Sequence, residues 1–309
     1  MINFRFHLVS LTAIFLALGI GIAVGASVVD RATVELLETR LEGVEARLDT
    51  TDTLNEQLRA ELDQWDAFAE QARDEAVAGR LEGVPVLVLA VRGIDRAPVD
   101  ALRQSLSAAR ATVRGTLWFT SKLALENEGD AAALADLLAV APRGADALRR
   151  SMLSLLAAEL AGGVDTGLLA RLRDGAFLEV EPGTDGADPA TAPVEGTRFV
   201  VASDRQAVVR NGNLAVPFAR LLATAAPARV VAVEARRDPA NRSGPPPTVF
   251  VGPLRGDDQV APLLSSVDDI GDFRGRFAAI LAVRDLGAGK VGHYGRGPGA
   301  ARQVPETAG

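Results

Sequence analysis

The sequence predicts an α/β protein: an N-terminal transmembrane helix continues into a coiled-coil helix, and a mostly parallel sheet domain with helices on both faces follows. Three observations carry this. No charged side chain occurs from Leu8 to Val29, a heptad repeat runs from Val34 to Gly79, and beyond Gly79 short apolar runs alternate with segments of helical periodicity. The implied organisation is an anchor over 1–29, a parallel coiled coil over 30–80, an extracytoplasmic α/β domain over 81–286 with a hinge at 181–197, and a glycine-rich, poorly packed tail over 287–309.

The Leu8–Val29 run, as helix, extends about 33 Å at ~1.5 Å per residue, enough to cross a bilayer core. Arg5 precedes it, whereas Asp30, Arg31 and Glu35 follow, so the positive-inside rule puts the N-terminus in the cytoplasm and the bulk of the chain outside. A cleaved signal peptide is the competing reading, since Ala23-Val24-Gly25 offers a small-residue cleavage site. The length of the run and the helical pattern continuing past it favour a retained single-pass anchor. Within it Ala13, Ala17, Gly21 and Gly25 recur every fourth residue, a small-residue stripe that permits close helix approach.

In the heptads the a positions are Val34, Leu41, Leu48, Asn55, Leu62, Ala69 and Ala76, and the d positions are Leu37, Val44, Thr51, Leu58, Trp65, Ala72 and Gly79. One apolar seam held in this way predicts a partner helix, and a lone Asn55 at a predicts a parallel homodimer in which it meets its symmetry mate. In that geometry Arg40 faces Glu45 and Arg47 faces Asp52 across the two chains, both attractive. Glu61 opposite Asp66 and the later alanines weaken the seam beyond about residue 68. As one helix, residues 34–79 would reach about 69 Å at ~1.5 Å per residue, a length suited to a domain that docks something distant.

Val84–Val91 reads as a strand buried on both faces and Pro98–Arg110 as a helix. Thr112–Phe119 reads as a strand, and helices follow over about 130–141 and 145–161, with Pro142 and Gly144 between them and Gly162-Gly163 ending the second. Glu181–Gly196 is an aperiodic loop. Arg198–Ala202 and Val230–Val233 read as strands flanking a helical Leu214–Thr224, Asp238–Pro247 as a loop, Thr248–Val251 as a strand and Phe273–Leu286 as a final helix.

Composition narrows the chemistry. With 33 Lys and Arg against 40 Asp and Glu, a net charge of -7, and no basic patch, the sequence gives no reason to expect a nucleic-acid partner. Cysteine is absent, which removes thiol catalysis, disulfides and Cys-ligated metals. Serine-histidine catalysis needs an imidazole beside the serine, yet only His7, by the membrane, and His293, in the tail, exist. Gly287-Ala288-Gly289-Lys290 lacks the first glycine and the Ser or Thr of a phosphate loop, and Gly295-Arg296-Gly297 follows no predicted strand. Copper prefers thiolate, thioether and imidazole, and Met1, Met152, His7 and His293 do not make an intrachain cage. No enzyme and no cofactor are expected. Polar groups at strand ends, Arg92-Gly93, Thr120-Ser121, Ser203-Asp204, Glu234 and Asp268-Asp269, would share one crevice. Of these, Arg92, Asp204, Glu234, Asp268 and Asp269 form the expected docking surface.

Residues 7–27 (HLVSLTAIFLALGIGIAVGAS), the coiled coil, and the C-terminal stretches 263–286 (LLSSVDDIGDFRGRFAAILAVRDL) and 291–300 (VGHYGRGPGA) resemble the copper transporter MctB family of actinobacterial envelope proteins. The match falls on Ser266, Val267, Asp268, Asp269, Gly275, Arg276, Gly292, His293, Tyr294 and Gly295. The resemblance implies an envelope protein in copper efflux or homeostasis, with an outer-membrane place proposed for mycobacterial members. The chain's own pattern differs from a membrane β-barrel, which needs at least about eight alternating strands and aromatic girdles. Two functions therefore stand side by side: copper transport, and a dimeric envelope scaffold docking a protein or cell-wall partner.

Overall fold

The computed structural model describes residues 4–141, 144–163, 165–184, 186, 188–190, 194–235 and 248–306, without the side chains of 26–35, 66, 70 and 73. The chain divides into two compact units, Met1–Trp65 and Asp66–Gly309.

The first unit is helical throughout its described length, the greater part of α1 (Phe4–Val77). Its Phe4–Gly25 segment is long and apolar enough to cross a membrane. Thr12, inside that segment, donates its hydroxyl to the Leu8 carbonyl at 2.8 Å, which satisfies it without water. Farther along, Leu41, Val44, Leu48, Leu58, Leu62 and Trp65 are all exposed on the single chain. Thr51, at a d position of the predicted seam, donates back to the Arg47 carbonyl at 2.7 Å, so its hydroxyl is satisfied within the helix.

In the second unit the elements run β1 (Pro85–Val91), α2 (Arg96–Ala108), β2 (Thr112–Phe119), α3 (Glu128–Leu137), α4 (Ala145–Gly162), α5 (Leu168–Asp174), β3 (Leu178–Pro182), β4 (Arg198–Ser203), α6 (Ala215–Ala225), β5 (Val230–Glu234), α7 (Val251–Arg255), β6 (Leu264–Val267), α8 (Phe273–Leu286) and β7 (His293–Tyr294). One sheet holds all seven strands in the order β3-β2-β1-β4-β5-β6-β7, with β3 antiparallel and every other pairing parallel. The chain builds outward from β1 to β3, returns to lay β4 on the other side of β1, and builds outward again to β7.

The two-faced burial inferred from Val84–Val91 is visible residue by residue. Leu87, Leu89 and Val91 enter one core cluster with α4, α5 and α6, whereas Val86, Val88 and Ala90 enter a second with α2 and α8. Val77, in the last turn of α1, and Leu81 also belong to the second cluster. Gly163 ends α4 in the left-handed region (φ 63°), its amide bonded to the Glu159 carbonyl, as a terminal glycine requires.

Two expectations need correction. Thr248–Val251 is not a strand: the amides of Val249 and Val251 bond the Glu234 carboxylate at 2.9 and 3.4 Å, which turns the segment into the start of α7 instead of a ladder. The tail is not poorly packed up to residue 306. His293 and Tyr294 pair with Ser266 and Val267 as the seventh strand, and the Ala301 amide bonds the His293 carbonyl at 2.9 Å. Pro142 and the expected loop at Asp238–Pro247 lie outside the described residues, as does part of the 181–197 hinge.

Candidate functional site

In an open parallel sheet, ligands enter where the strand order reverses, here between β1 and β4. That crevice is filled by the chain itself. The Val208 amide bonds the Arg92 carbonyl at 2.8 Å. A Cβ on Gly93 (φ 95°) would overlap the Gln206 carbonyl and meet Val208 at 2.8 Å, so the loop after β4 lies directly on the loop after β1. Of the five groups expected to form a docking surface, Asp204, Glu234 and Asp268 are at most 2% exposed and cannot present one. Arg92 instead lies over the Trp118 ring at 4.4 Å and pairs with Glu179 of β3, and Asp269 accepts from the Gly271 amide at 2.8 Å.

The densest polar constellation lies on the β6–β7 side, where the family-motif positions meet. Its hub is Arg255, the last residue of α7, which no local pattern in the sequence singles out. With its side chain only 2% exposed, Arg255 donates to Ser266 Oγ at 2.7 Å, Asp268 Oδ2 at 3.3 Å, and the carbonyls of Tyr294 and Pro298 at 2.6 and 3.2 Å. Burial draws its pKa below the usual arginine range, opposed by the adjacent Asp268. Asp268 also accepts from the amides of Arg296 and Gly297. Successive backbone amides around an anion form a nest. The Gly295-Arg296-Gly297 turn is thus an anion cradle filled by the chain's own carboxylate. Its glycines follow from that proximity, since a Cβ on Gly295 (φ 124°) would overlap Asp268 and one on Gly297 would meet Oδ2 at 2.7 Å.

His293 and Ser266, remote in sequence, come together: Nδ1 lies 2.9 Å from Ser266 Oγ. Arg255 donates to Ser266 Oγ, which leaves the serine's own proton for Nδ1. Burial, and then the neighbouring Arg255 charge, hold the imidazole below its ordinary pKa. The serine–histidine contact differs from a nucleophile–base relay. Ser266 is fully buried, and Asp268 faces Arg255 and the backbone rather than the ring.

The remaining motif positions serve the same corner. Gly275, near the start of α8, is where a Cβ would overlap the Asp269 carbonyl, and Arg276 donates to the carbonyls of Ile270 and Gly271 at 3.1 and 3.0 Å. Gly292 lies beneath the Tyr294 hydroxyl, which a Cβ would overlap. Beside them is a cavity of about 950 Å³, bordered by Arg284, Asp285, Lys290, Tyr294, Arg302 and Glu306. Arg284 pairs there with Asp285 at 2.6 Å and Arg302 with Glu306. Among the described residues no three His, Asp or Glu side chains converge to hold a metal. Ala17, Gly21 and Gly25 lie on the membrane-length part of α1, with nothing within 4 Å of where a Cβ would stand on either glycine. Leu41, Leu48, Asn55, Leu58 and Leu62 lie farther along the same helix, exposed.

Fold and site together define a protein with one membrane-length N-terminal helix and a doubly wound α/β unit whose C-terminal segment is locked into its sheet by a buried charged network. The chain belongs to the MctB family, described as "Copper transport outer membrane protein, MctB", which it matches over residues 1–305. It is 28% identical over 319 residues to the copper transporter MctB of Mycobacterium bovis and to that of Mycobacterium tuberculosis, covering 97% of this chain and 98% of each relative.

Proposed function

We propose that this chain is a membrane-anchored, non-catalytic envelope component of a copper efflux or copper homeostasis system. What carries the reading is the end-to-end family match, from the membrane-length helix to the buried SVDD–GHYG corner, to proteins named as copper transporters. The match favours copper handling over the envelope-scaffold alternative. The anchor is a single pass with the N-terminus in the cytoplasm and the α/β unit outside, because Arg5 precedes the apolar segment and acidic residues follow it. The working form is a parallel homodimer, supported by the exposed a and d residues and the Arg40–Glu45 and Arg47–Asp52 complementarity.

The experiment is a gene deletion. Copper-specific sensitivity with copper accumulation, restored by the intact chain, is the expected result; general wall or septation defects without copper accumulation would refute the reading in favour of the scaffold. A reporter fused after residue 309 should be active only outside the cytoplasm, and cytoplasmic activity would overturn the orientation.

A further inference from the structure

We infer that this chain serves copper without ligating it. The inference rests on the copper reading above and concerns how that role is performed.

The soft-donor inventory is short. Copper(I) takes thiolate, thioether and imidazole ligands, and copper(II) favours imidazole with other nitrogen and oxygen donors in a tetragonal arrangement. The chain holds no cysteine, two histidines and two methionines. Met152 is fully buried on α4 among Leu148, Leu153 and Leu156, so its thioether faces the apolar core and no solvent path. His293 has Nδ1 2.9 Å from Ser266 Oγ, and among the described residues no second imidazole stands beside it to complete a site. The Arg255 guanidinium, donating to the same Ser266 oxygen at 2.7 Å, sets a fixed positive charge near the ring.

The carboxylates offer no substitute. Asp268 is taken by Arg255 and by two backbone amides, and Glu234 by the amides that begin α7. No cluster of three metal-ligating side chains exists among the described residues. His7 is exposed on α1, but alone it supplies one donor. A second copy would raise that to two, so His7 is the position at which the inference is most open to attack.

The test uses the full-length protein in detergent micelles. Copper(I) is supplied as its complex with the chromophoric chelator bathocuproine disulfonate, and copper(II) is followed by electron paramagnetic resonance. The expected result is no withdrawal of copper(I) from the chelator and no protein-bound copper(II) signal, below about one-tenth of an equivalent per chain. One copper per chain or per pair of chains, lost on His7→Ala or on His293→Gln, would overturn the inference. In the deletion strain, chains carrying His7→Ala or Met152→Leu should restore copper tolerance to within about twofold of the intact chain. A tenfold loss with the protein present at normal level would also overturn it. A deletion strain without any copper phenotype would instead remove the copper reading, while the titration in micelles would still decide whether this chain binds the ion.

Discussion

Replacing Arg255 with methionine removes the donor on which the C-terminal segment depends. The guanidinium makes part-buried bonds to Ser266, Asp268 and the Tyr294 carbonyl, and an exposed one to the Pro298 carbonyl. Methionine fills similar volume, so the packing loss is small and the electrostatic loss dominates. Asp268 would remain buried with two amide donors and no counter-charge, and removing one partner of a buried pair typically costs about 3–5 kcal/mol. Arg255→Met should therefore lower the unfolding free energy by about that amount, a large share of the ~5–15 kcal/mol that domains possess. Urea denaturation of the full-length protein in micelles, followed through the buried Trp118, measures it. Asp268→Asn and the double variant complete a cycle in which the double variant should lose at least about 2 kcal/mol less than the sum of the singles. Hydrogen exchange localises the effect: the Ser266 and Gly295 amides, bonded to the carbonyls of Gly292 and Arg302 at 3.0 and 2.9 Å, should lose protection first. A single-variant loss under about 1 kcal/mol, or strict additivity in the cycle, would refute the assignment of Arg255 as the hub.

Glu234 supplies a pH dependence. Burial, opposed by the amides at α7 and reinforced by Asp204, raises its pKa to about 7 in the folded state from an ordinary 4.5. The folded protein therefore keeps a proton that the unfolded chain has released, and stability should fall by about 3 kcal/mol as pH rises from ~4.5 to ~7. Denaturation at pH 5 and pH 7.5 reads this, and Glu234→Gln should flatten the slope; an unchanged slope would show that other groups set it. Gly295→Ala and Gly275→Ala should each destabilise by at least about 2 kcal/mol, because their Cβ atoms would overlap Asp268 and the Asp269 carbonyl, whereas Gly186→Ala, with open space around it, should cost no more than about 1 kcal/mol of backbone strain. Asn55→Leu should stabilise the helical assembly of residues 33–79 while loosening its dimer selectivity, visible as mixed oligomers in analytical ultracentrifugation. A segment that stays monomeric at high micromolar concentration would remove the coiled-coil dimer.

The parts of the fold that show in the sequence are those whose signal is local. β1, β2, β4 and β5 announce themselves as apolar runs because both faces of each are covered, and α8 occupies the Phe273–Leu286 span its periodicity marks out. β6 and β7 are too short for periodicity to speak, and β3 (Leu178–Pro182) carries Glu179 and Glu181 in place of an apolar run. β7 in addition draws its order from Arg255 and Asp268, dozens of residues away in the chain. For the same reason glycine content misleads about the tail: its glycines mark close approach to Asp268 and to the Tyr294 hydroxyl, not looseness. Thr248–Val251 has a strand's residues, yet the Glu234 carboxylate claims its amides. At the site, the resemblance points to Ser266, Asp268 and His293, but nothing local identifies Arg255, which joins them. The strand-end carboxylates were visible as residues, while their burial depends on loops folding over them.

The measurement that bears most directly on this account is cell-associated copper, determined by mass spectrometry in the parental strain, in the deletion strain and in the deletion strain carrying the intact chain, at equal growth and equal external copper. Accumulation of copper in the deletion strain, reversed to the parental level by the intact chain and not mirrored by zinc or iron, is the predicted result. Equal copper in all three strains would contradict it.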